Sequence, residues 1–361
     1  MNKITVEHVN LRNIGNEMIS LHAQHFISPD SELKRGSYID WLLDNPNEGS
    51  IYLAAFVDGK FASFLGFMAR GVVGFGRDYR GALAFGAMTK PEFSGRGLYR
   101  RLAIEGWKEV HRQGFDFAMG YTTRRHVLQM ERRMGWVEVE AAPVLMLPVE
   151  CEAALKSAIP KLGPISIIAR PYDKLAGRWT KIRLRTVVKK STLNFDSVTS
   201  FLGDDHEFLA QQREAQKFSF MKDSKTLSWL YTSPHNPFHY DVVEARDAGK
   251  LVGFAIGRRM NLLGVDGYGI TDIVTLPKHE NALAPLAANL IVKALEIRPA
   301  VVAALVSRNG PAYIALRSLG FFTSPKSFSL IMRATVAEDT IDKRLFAQGC
   351  WEHLWGNNDT V

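Results

Sequence analysis

The run TKPEFSGRGLYRRL occupies residues 89–102. It follows the apolar stretch ALAFGAM at 82–88 and leads into a segment where Leu98, Leu102, Ile104 and Val110 alternate with Arg100, Arg101, Glu105 and Lys108. The pattern predicts a strand over 82–89, a glycine-bearing turn and a helix over 97–113. In such a unit the first helical N–H groups have no partner within the helix, and the helix dipole makes the turn attractive to anions. Gly95 and Gly97 allow successive N–H groups to converge as a nest, and Arg96, Arg100 or Arg101 can add charge-assisted bonds to phosphate. The run lacks the Gly-Lys-Ser/Thr of a Walker loop. It is not GxGxxG either, since Arg100 stands three residues after Gly97. The chemistry it points to is pyrophosphate binding.

Outward from this run the chain repeats itself. WLLDNP (41–46) and WLYTSP (229–234) share Trp, Leu and a Pro five residues after the Trp. Each precedes two apolar runs joined by a turn, at Asp58-Gly59-Lys60 and at Ala248-Gly249-Lys250, which is the signature of a β-hairpin. The first copy continues with a strand over 82–89, a helix over 97–113, a strand over 115–121, a helix ending at Met134-Gly135-Trp136 and strands over 136–148. The second offers a strand over 269–276, a helix over 282–296, a strand over 300–306, a helix ending at Leu319-Gly320-Phe321 and a strand over 327–333. Strands separated by helices of this length predict a mixed α/β sheet in each copy. The expected organisation is a domain over 1–150, a basic connecting segment over 151–194, a second domain over 195–340, and a C-terminal helix and tail over 341–361.

The order strand, Pro, SGRGLY, long helix, strand, helix ending Gly-Trp resembles the GNAT superfamily of N-acyltransferases, whose signature is Arg/Gln-x-x-Gly-x-Gly/Ala. The central glycine falls on Gly97, while Ser94 and Tyr99 replace the flanking residues of the signature. The backbone nest does not depend on those two side chains. The resemblance implies two tandem GNAT-like domains of mixed α/β class. It implies acetyl-CoA or another acyl-CoA in a splay between strands 82–89 and 115–121. The pyrophosphate would lie on the N–H groups of Gly95, Arg96, Gly97, Leu98 and Tyr99, and the pantetheine against Ala87, Met88 and Thr89. In the second copy SRNGPAYIALRSLGFF (307–322) resembles the family's Asn-x-x-Ala…Leu-Gly-Phe helix, yet the phosphate-loop region LPKHEN (276–281) has no glycine. The second domain is therefore expected to be degenerate and to close the acceptor cleft.

Within the superfamily, the Trp-x-x-x-x-Pro hairpin start, the Gly-Leu-Tyr helix entry and the Gly-Trp ending followed by PVLMLP (143–148) resemble tandem-domain members of bacterial surface-polysaccharide and nucleotide-sugar pathways. That implies a nucleotide-linked amino sugar as acceptor, its neutral amine attacking the thioester directly. The family often places a carboxylate on the strand equivalent to 82–89, and none stands there. It often places a Tyr four residues before the glycine of the last helix, where this chain has Glu131. Tyr121, at the end of the strand flanking the thioester, is the first candidate for the acid. His126 and Glu131 are the others, although a Glu between Met130 and Arg132 reads first as a surface ion-pair partner. Arg124 and Arg125 are candidates for acceptor phosphates, or for capping the helix region.

The composition sets outer bounds. With 361 residues, 46% hydrophobic and 23% charged, the chain has the make-up of a soluble two-domain protein. Two cysteines, Cys151 and Cys350, exclude a disulfide scaffold and a Cys-rich metal site. His235 and His239 flank Pro237 in a loop-like segment with no clear third ligand, so no metal is expected. The opening MNKITVEHVN has no apolar h-region and no segment reads as a membrane span, so a cytoplasmic protein is expected. The net charge of +8 is local: residues 161–190 hold nine basic side chains and one acid, Asp173. Such a run is a solvated face and linker or an attractor of phosphate-rich partners. It favours an alternative reading, an aminoacyl-tRNA-dependent transferase acting on a cell-wall peptide. The SGRG nest argues against that reading. The absent carboxylate and Tyr favour another, a non-catalytic ligand-binding protein of the same fold.

Overall fold

A computed structural model describes residues 3–25, 37–150, 170–201, 206–262, 265–335 and 341–357. Thirteen strands among them join one mixed sheet. They are β1 (Ile4–His8), β2 (Ile51–Val57), β3 (Lys60–Gly74), β4 (Arg77–Thr89), β5 (Phe117–Thr122), β6 (Val137–Pro148), β7 (Asn194–Val198), β8 (Ser219–Phe220), β9 (Asp241–Asp247), β10 (Lys250–Leu262), β11 (Val265–Thr275), β12 (Val301–Leu305) and β13 (Phe322–Ala334). In space the order is β1-β2-β3-β4-β5-β13-β6-β12-β11-β10-β9-β7, with β8 pairing β3.

The repeat is visible in the backbone. The hairpin turns carry positive φ at both central residues, Asp58 (50°) with Gly59 (76°) and Ala248 (47°) with Gly249 (84°). This conformation matches the right-handed twist of paired strands. Each copy then has one parallel pair, β4 with β5 and β11 with β12. The two motif tryptophans meet. Trp41 and Trp229 stack with ring centroids 5.0 Å apart and planes 9° apart. Each indole N–H donates to the other's carbonyl, at 2.8 and 2.7 Å. The repeated residue thus packs against its own counterpart near a local two-fold axis.

The last strands of the copies are exchanged. β13 lies between β5 and β6, antiparallel to both, and β6 in turn pairs β12 from Val301↔Pro148 to Leu305↔Val144. Each half-sheet is completed by the other half's final strand. Burial on both faces makes β3 almost continuously apolar. One core covers the face of the N-terminal half that carries Phe117, Met119 and Leu83, and it also takes in Phe218, Trp229, Leu330 and Trp351 from the other half.

Two expectations are corrected. From Arg170 onward the basic segment is not a bare connector: Arg170–Lys189 is a helix, and β7, which begins at Asn194, pairs β9 at the sheet edge. Leu184 is fully buried, with Val187 and Val188 against the same core, so apolar burial fixes this helix despite its charge. Residues 151–169 lie outside the described residues. Among the described residues the expected C-terminal helix is also absent. Residues 341–357 make two short 3-10 turns, Lys343–Phe346 and Trp355–Asn357. Tertiary contacts override local propensity there. Trp351 is fully buried and donates to the Leu345 carbonyl at 2.8 Å, and Leu354 bridges Val306.

Candidate functional site

β4 and β5 are paired only from Gly81↔Phe117 to Leu83↔Met119. β4 then runs on to Thr89 and β5 to Thr122, so the strands part beyond Leu83 and Met119. A bulge accompanies the parting. Between the pairs Gly66↔Phe85 and Phe64↔Met88, β4 holds one residue more than β3, with Gly86 at φ 62°. Bulges bend a strand and re-aim its groups. Ala87 is exposed, Met88 is buried, and the Met88 carbonyl accepts the Ser63 hydroxyl at 2.7 Å. Thr89 Oγ1 is 2.8 Å from the same hydroxyl.

β4 leads through a 3-10 turn, Pro91–Phe93, to the glycine loop. Gly95 (φ 76°) and Gly97 (φ 70°) are both left-handed, and Gly97 caps the helix Leu98–Arg112. A Cβ built at either would meet nothing within 4 Å. The loop backbone is therefore open, in the conformation that turns N–H groups to one side. Arg96 is exposed and lies over the Phe93 ring at 5.3 Å, while Leu98 is buried and offers only its backbone. Tyr99 turns inward and donates to Glu131.

Glu131, on the helix Arg125–Arg133, is 1% exposed, with one carboxyl oxygen lacking a partner among the described residues. Burial pushes its pKa up, against the opposing effects of the Tyr99 hydrogen bond and Arg333. Of its two sequence readings, the surface ion pair is ruled out. His126, Arg124 and Arg125 are exposed at the start of that helix, and the Arg124 N–H is held by Thr122 Oγ1 at 3.1 Å. His126 has no hydrogen-bond partner among the described residues.

Tyr121 stands on β5 beyond its last pair with β4, opposite Leu330 of β13, and is half-buried. Its hydroxyl lies 3.1 Å from Nδ1 of His353, whose Nε2 meets a carboxylate oxygen of Glu140 on β6. The other Glu140 oxygen accepts the Gly349 N–H. The His353 ring is fully buried, and its backbone N–H donates to Ser307 Oγ at 2.7 Å. Burial would raise Glu140, but the hydrogen bond from His353, the Gly349 N–H and Lys217 outweigh it and hold its pKa below the ordinary carboxylate value. Tyr121 is pushed up by burial and by Glu140, with Arg70 opposing. Arg70 is itself buried, lies 4.5 Å over the Phe220 ring, and is lowered by burial to about 10.

Tyr121 is named in the sequence analysis, but neither Glu140 nor His353 is. They are 213 residues apart, and only the strand exchange and the folded-back tail bring them together. Nearby, Lys222 and Asp272 form a buried ion pair, with Nζ at 2.7 and 2.8 Å from the two carboxylate oxygens, and the Tyr231 hydroxyl donates to Asp272 at 2.7 Å.

In the second half β11 and β12 separate beyond Ile270↔Ala304, after a bulge at Thr271. A cavity of about 250 Å³ opens there, lined by Ile273, Leu276, Gln212, Ser307, Glu352 and His353 among others. The loop at 276–281 puts Lys278 at positive φ (71°) and builds a 3-10 turn from Glu280 where the first copy has its glycine nest. Among the described residues no group of three or more His, Cys, Asp or Glu could hold a metal ion, and no helix is long and apolar enough to cross a membrane.

No family model matches the chain, and no curated protein matches it in sequence. Solved structures do share its fold. A GCN5-related N-acetyltransferase from Anabaena variabilis superposes with a TM-score of 0.61 at 14% identity, over 92% of this chain and 73% of that one. A probable N-acyltransferase from Enterococcus faecalis gives 0.59 at 15% identity, over 93% and 73%. The Saccharomyces cerevisiae N-myristoyltransferase, solved with bound myristoyl-CoA, gives 0.64 at 12% identity, over 92% and 79%. At such identities the likeness shows the architecture: a tandem α/β arrangement of the GNAT type.

Proposed function

We propose that the protein is an acyl-CoA-dependent N-acyltransferase with one working acyl-CoA site, in its N-terminal half. The observation that carries this reading is the conjunction of the parted β4 and β5 strands with an open glycine nest at the start of the helix that follows β4. The open N–H groups of residues 95–99 fit a pyrophosphate, and the freed edge of β4 near Ala87–Thr89 fits the amide-bearing pantetheine chain. The structural likeness to acyltransferases, one of them holding an acyl-CoA, supports the same reading. Bound there, acyl-CoA would supply an activated thioester carbonyl for attack by an amine.

The chain's own groups then move one proton. The Tyr121 oxygen accepts the proton of the attacking amine while the hydroxyl proton passes to His353 Nδ1. The imidazolium so formed lies against the Glu140 carboxylate, which the lowered pKa keeps charged. The proton returns through Tyr121 to the departing thiolate. Glu140 and His353 are positioning residues in this account, and Tyr121 is the catalytic one. The buried Tyr99–Glu131 pair fixes the helix entry beside the nest, and His126 stands outside the relay.

For the acceptor we propose a nucleotide-linked amino sugar. What supports it is the pair of exposed guanidinium groups, Arg124 and Arg125, just beyond β5, which suit the phosphates of such an acceptor. The test is turnover of acetyl-CoA with a panel of nucleotide-linked amino sugars, with free amino sugars and short peptides for comparison. Transfer to the nucleotide-linked sugars that falls when Arg124 and Arg125 are changed to Ala supports the acceptor. Transfer to peptides alone overturns it and leaves the acyltransferase reading standing.

A further inference from the structure

The helix Arg170–Lys189 has a role in none of the chemistry above, although it holds most of the chain's excess charge. Its described inner face is Leu184, with Val187 and Val188 against the C-terminal core. Arg183 reaches out to the Leu319 carbonyl, which fixes the roll of the helix. Its outer face is not what solvent alone would select. Trp179 is 71% exposed and Ile182 51% exposed. At 100° per residue, Arg178, Ile182, Arg185 and Lys189 form one outward stripe, and Trp179, Arg183 and Thr186 form the next. Lys181 lies at the flank, and Lys190 follows the last helical residue in line with the second stripe. No acidic residue occurs between 174 and 190, so the helix has no internal ion pairs to neutralise it. Among the described residues no ion pair engages Arg178, Lys181, Arg185, Lys189 or Lys190.

Isolated exposed apolar side chains are ordinary. Here, however, an indole and a branched aliphatic side chain share the middle of a cationic face whose opposite side is already anchored in the core. That combination is the pattern of a helix lying in a lipid interface: Trp inserts at the headgroup level, and Lys and Arg meet anionic headgroups. We infer that this face docks the protein on an anionic membrane surface, with the helix axis in the plane of the bilayer. The partner is a lipid surface bearing phosphate charge. Charge complementarity selects it over a neutral bilayer, and the exposed indole selects it over a soluble polyanion.

The test is sedimentation of the full chain with vesicles of phosphatidylcholine containing about a third phosphatidylglycerol, at low and high salt, against vesicles of phosphatidylcholine alone. The wild type is expected to sediment with the anionic vesicles, to be released by salt, and to ignore the neutral ones. Trp179→Ser with Ile182→Ser, and separately Arg185→Glu with Lys189→Glu, should each weaken binding tenfold or more. Both pairs are surface changes, so the thermal midpoint should hold and a folding defect is told apart from lost docking. A blue shift of fluorescence on adding vesicles that disappears in Trp179→Phe places this indole in the lipid. The inference is overturned if the wild type stays in the supernatant with anionic vesicles, or if the Trp179/Ile182 variant binds as tightly as wild type. It is also overturned if the face proves to hold transfer RNA or a second copy of the chain while vesicles are ignored.

Discussion

Lys222→Met should destabilise the protein by about 3–5 kcal/mol, because it strands a buried carboxylate. The side chains of Lys222 and Asp272 are 4% and 1% exposed. Lys222 follows β8, a strand of the C-terminal half that pairs β3 of the N-terminal half, and Asp272 lies on β11 of the same C-terminal half. The pair thus clamps the strand that crosses the seam to the C-terminal sheet. In Lys222→Met the carboxylate loses both ammonium contacts and, among the described residues, keeps only the Tyr231 hydroxyl. Adding Asp272→Leu removes the buried charge but strands that hydroxyl, so about 1–3 kcal/mol of the loss should persist. Adding Tyr231→Phe removes the stranded group, and the triple variant should return to within about 1–2 kcal/mol of wild type, since apolar replacement of a buried pair is often close to neutral. Urea unfolding followed by circular dichroism measures the series. If Lys222→Met lies within about 1 kcal/mol of wild type, or the triple variant is no better than the single, the clamp argument is wrong.

Other outcomes follow from the same structure. Trp229→Ala should cost about 3–5 kcal/mol, and Trp41→Ala together with it much less than the sum of the two, since both remove one shared stack; denaturant midpoints decide this. Glu109, beside Arg112, and Asp342, beside Arg344, are both held at about 2. Their folded values lie below their unfolded ones, so their contribution is complete above about pH 4.5 and is lost as pH falls toward 2; urea midpoints across that window should fall, and Glu109→Gln should flatten the slope. Tyr121→Phe should lower kcat by about 10²–10⁴ with KM for acyl-CoA unchanged, and Glu140→Gln should lower it less while shifting the pH profile. An unchanged single-turnover rate in Tyr121→Phe removes Tyr121 from the chemistry.

The parts of the fold legible in the sequence are those encoded within short windows. The Gly95–Gly97 turn, the hairpins at Asp58-Gly59 and Ala248-Gly249 and the matching strand–helix order all depend on local φ preferences and periodicity. The strand exchange was not legible, because the period of β13 marks it as a strand without saying which neighbour it takes. Apolar alternation suits the gap between β5 and β6 as well as a place beside β12. The helix at 170–189 read as a connector because charge masks an apolar stripe as narrow as Leu184, Val187 and Val188. The tail read as a helix because nothing local announces that Trp351 and His353 are drawn into the core. Glu131 reads first as a surface ion-pair partner because its neighbours are Met130 and Arg132, while its buried partner Tyr99 is 32 residues away. A weak signal for the proposed relay did exist: Glu140, with Glu138, is an acid on a strand otherwise apolar, and His353 lies between Trp351 and Trp355.

The central claim is one acyl-CoA held by the nest and the parted strands of the N-terminal half. Calorimetric titration with acetyl-CoA, and with a long-chain acyl-CoA in parallel, tests it most directly when wild type and Gly97→Val are compared. Valine at φ 70° is strained, and it fills the open side of the nest where a phosphate would sit. The account predicts one site per chain in the wild type and loss of binding in Gly97→Val, with the fold retained by circular dichroism. Absence of binding in the wild type, or equal affinity in the variant, contradicts it.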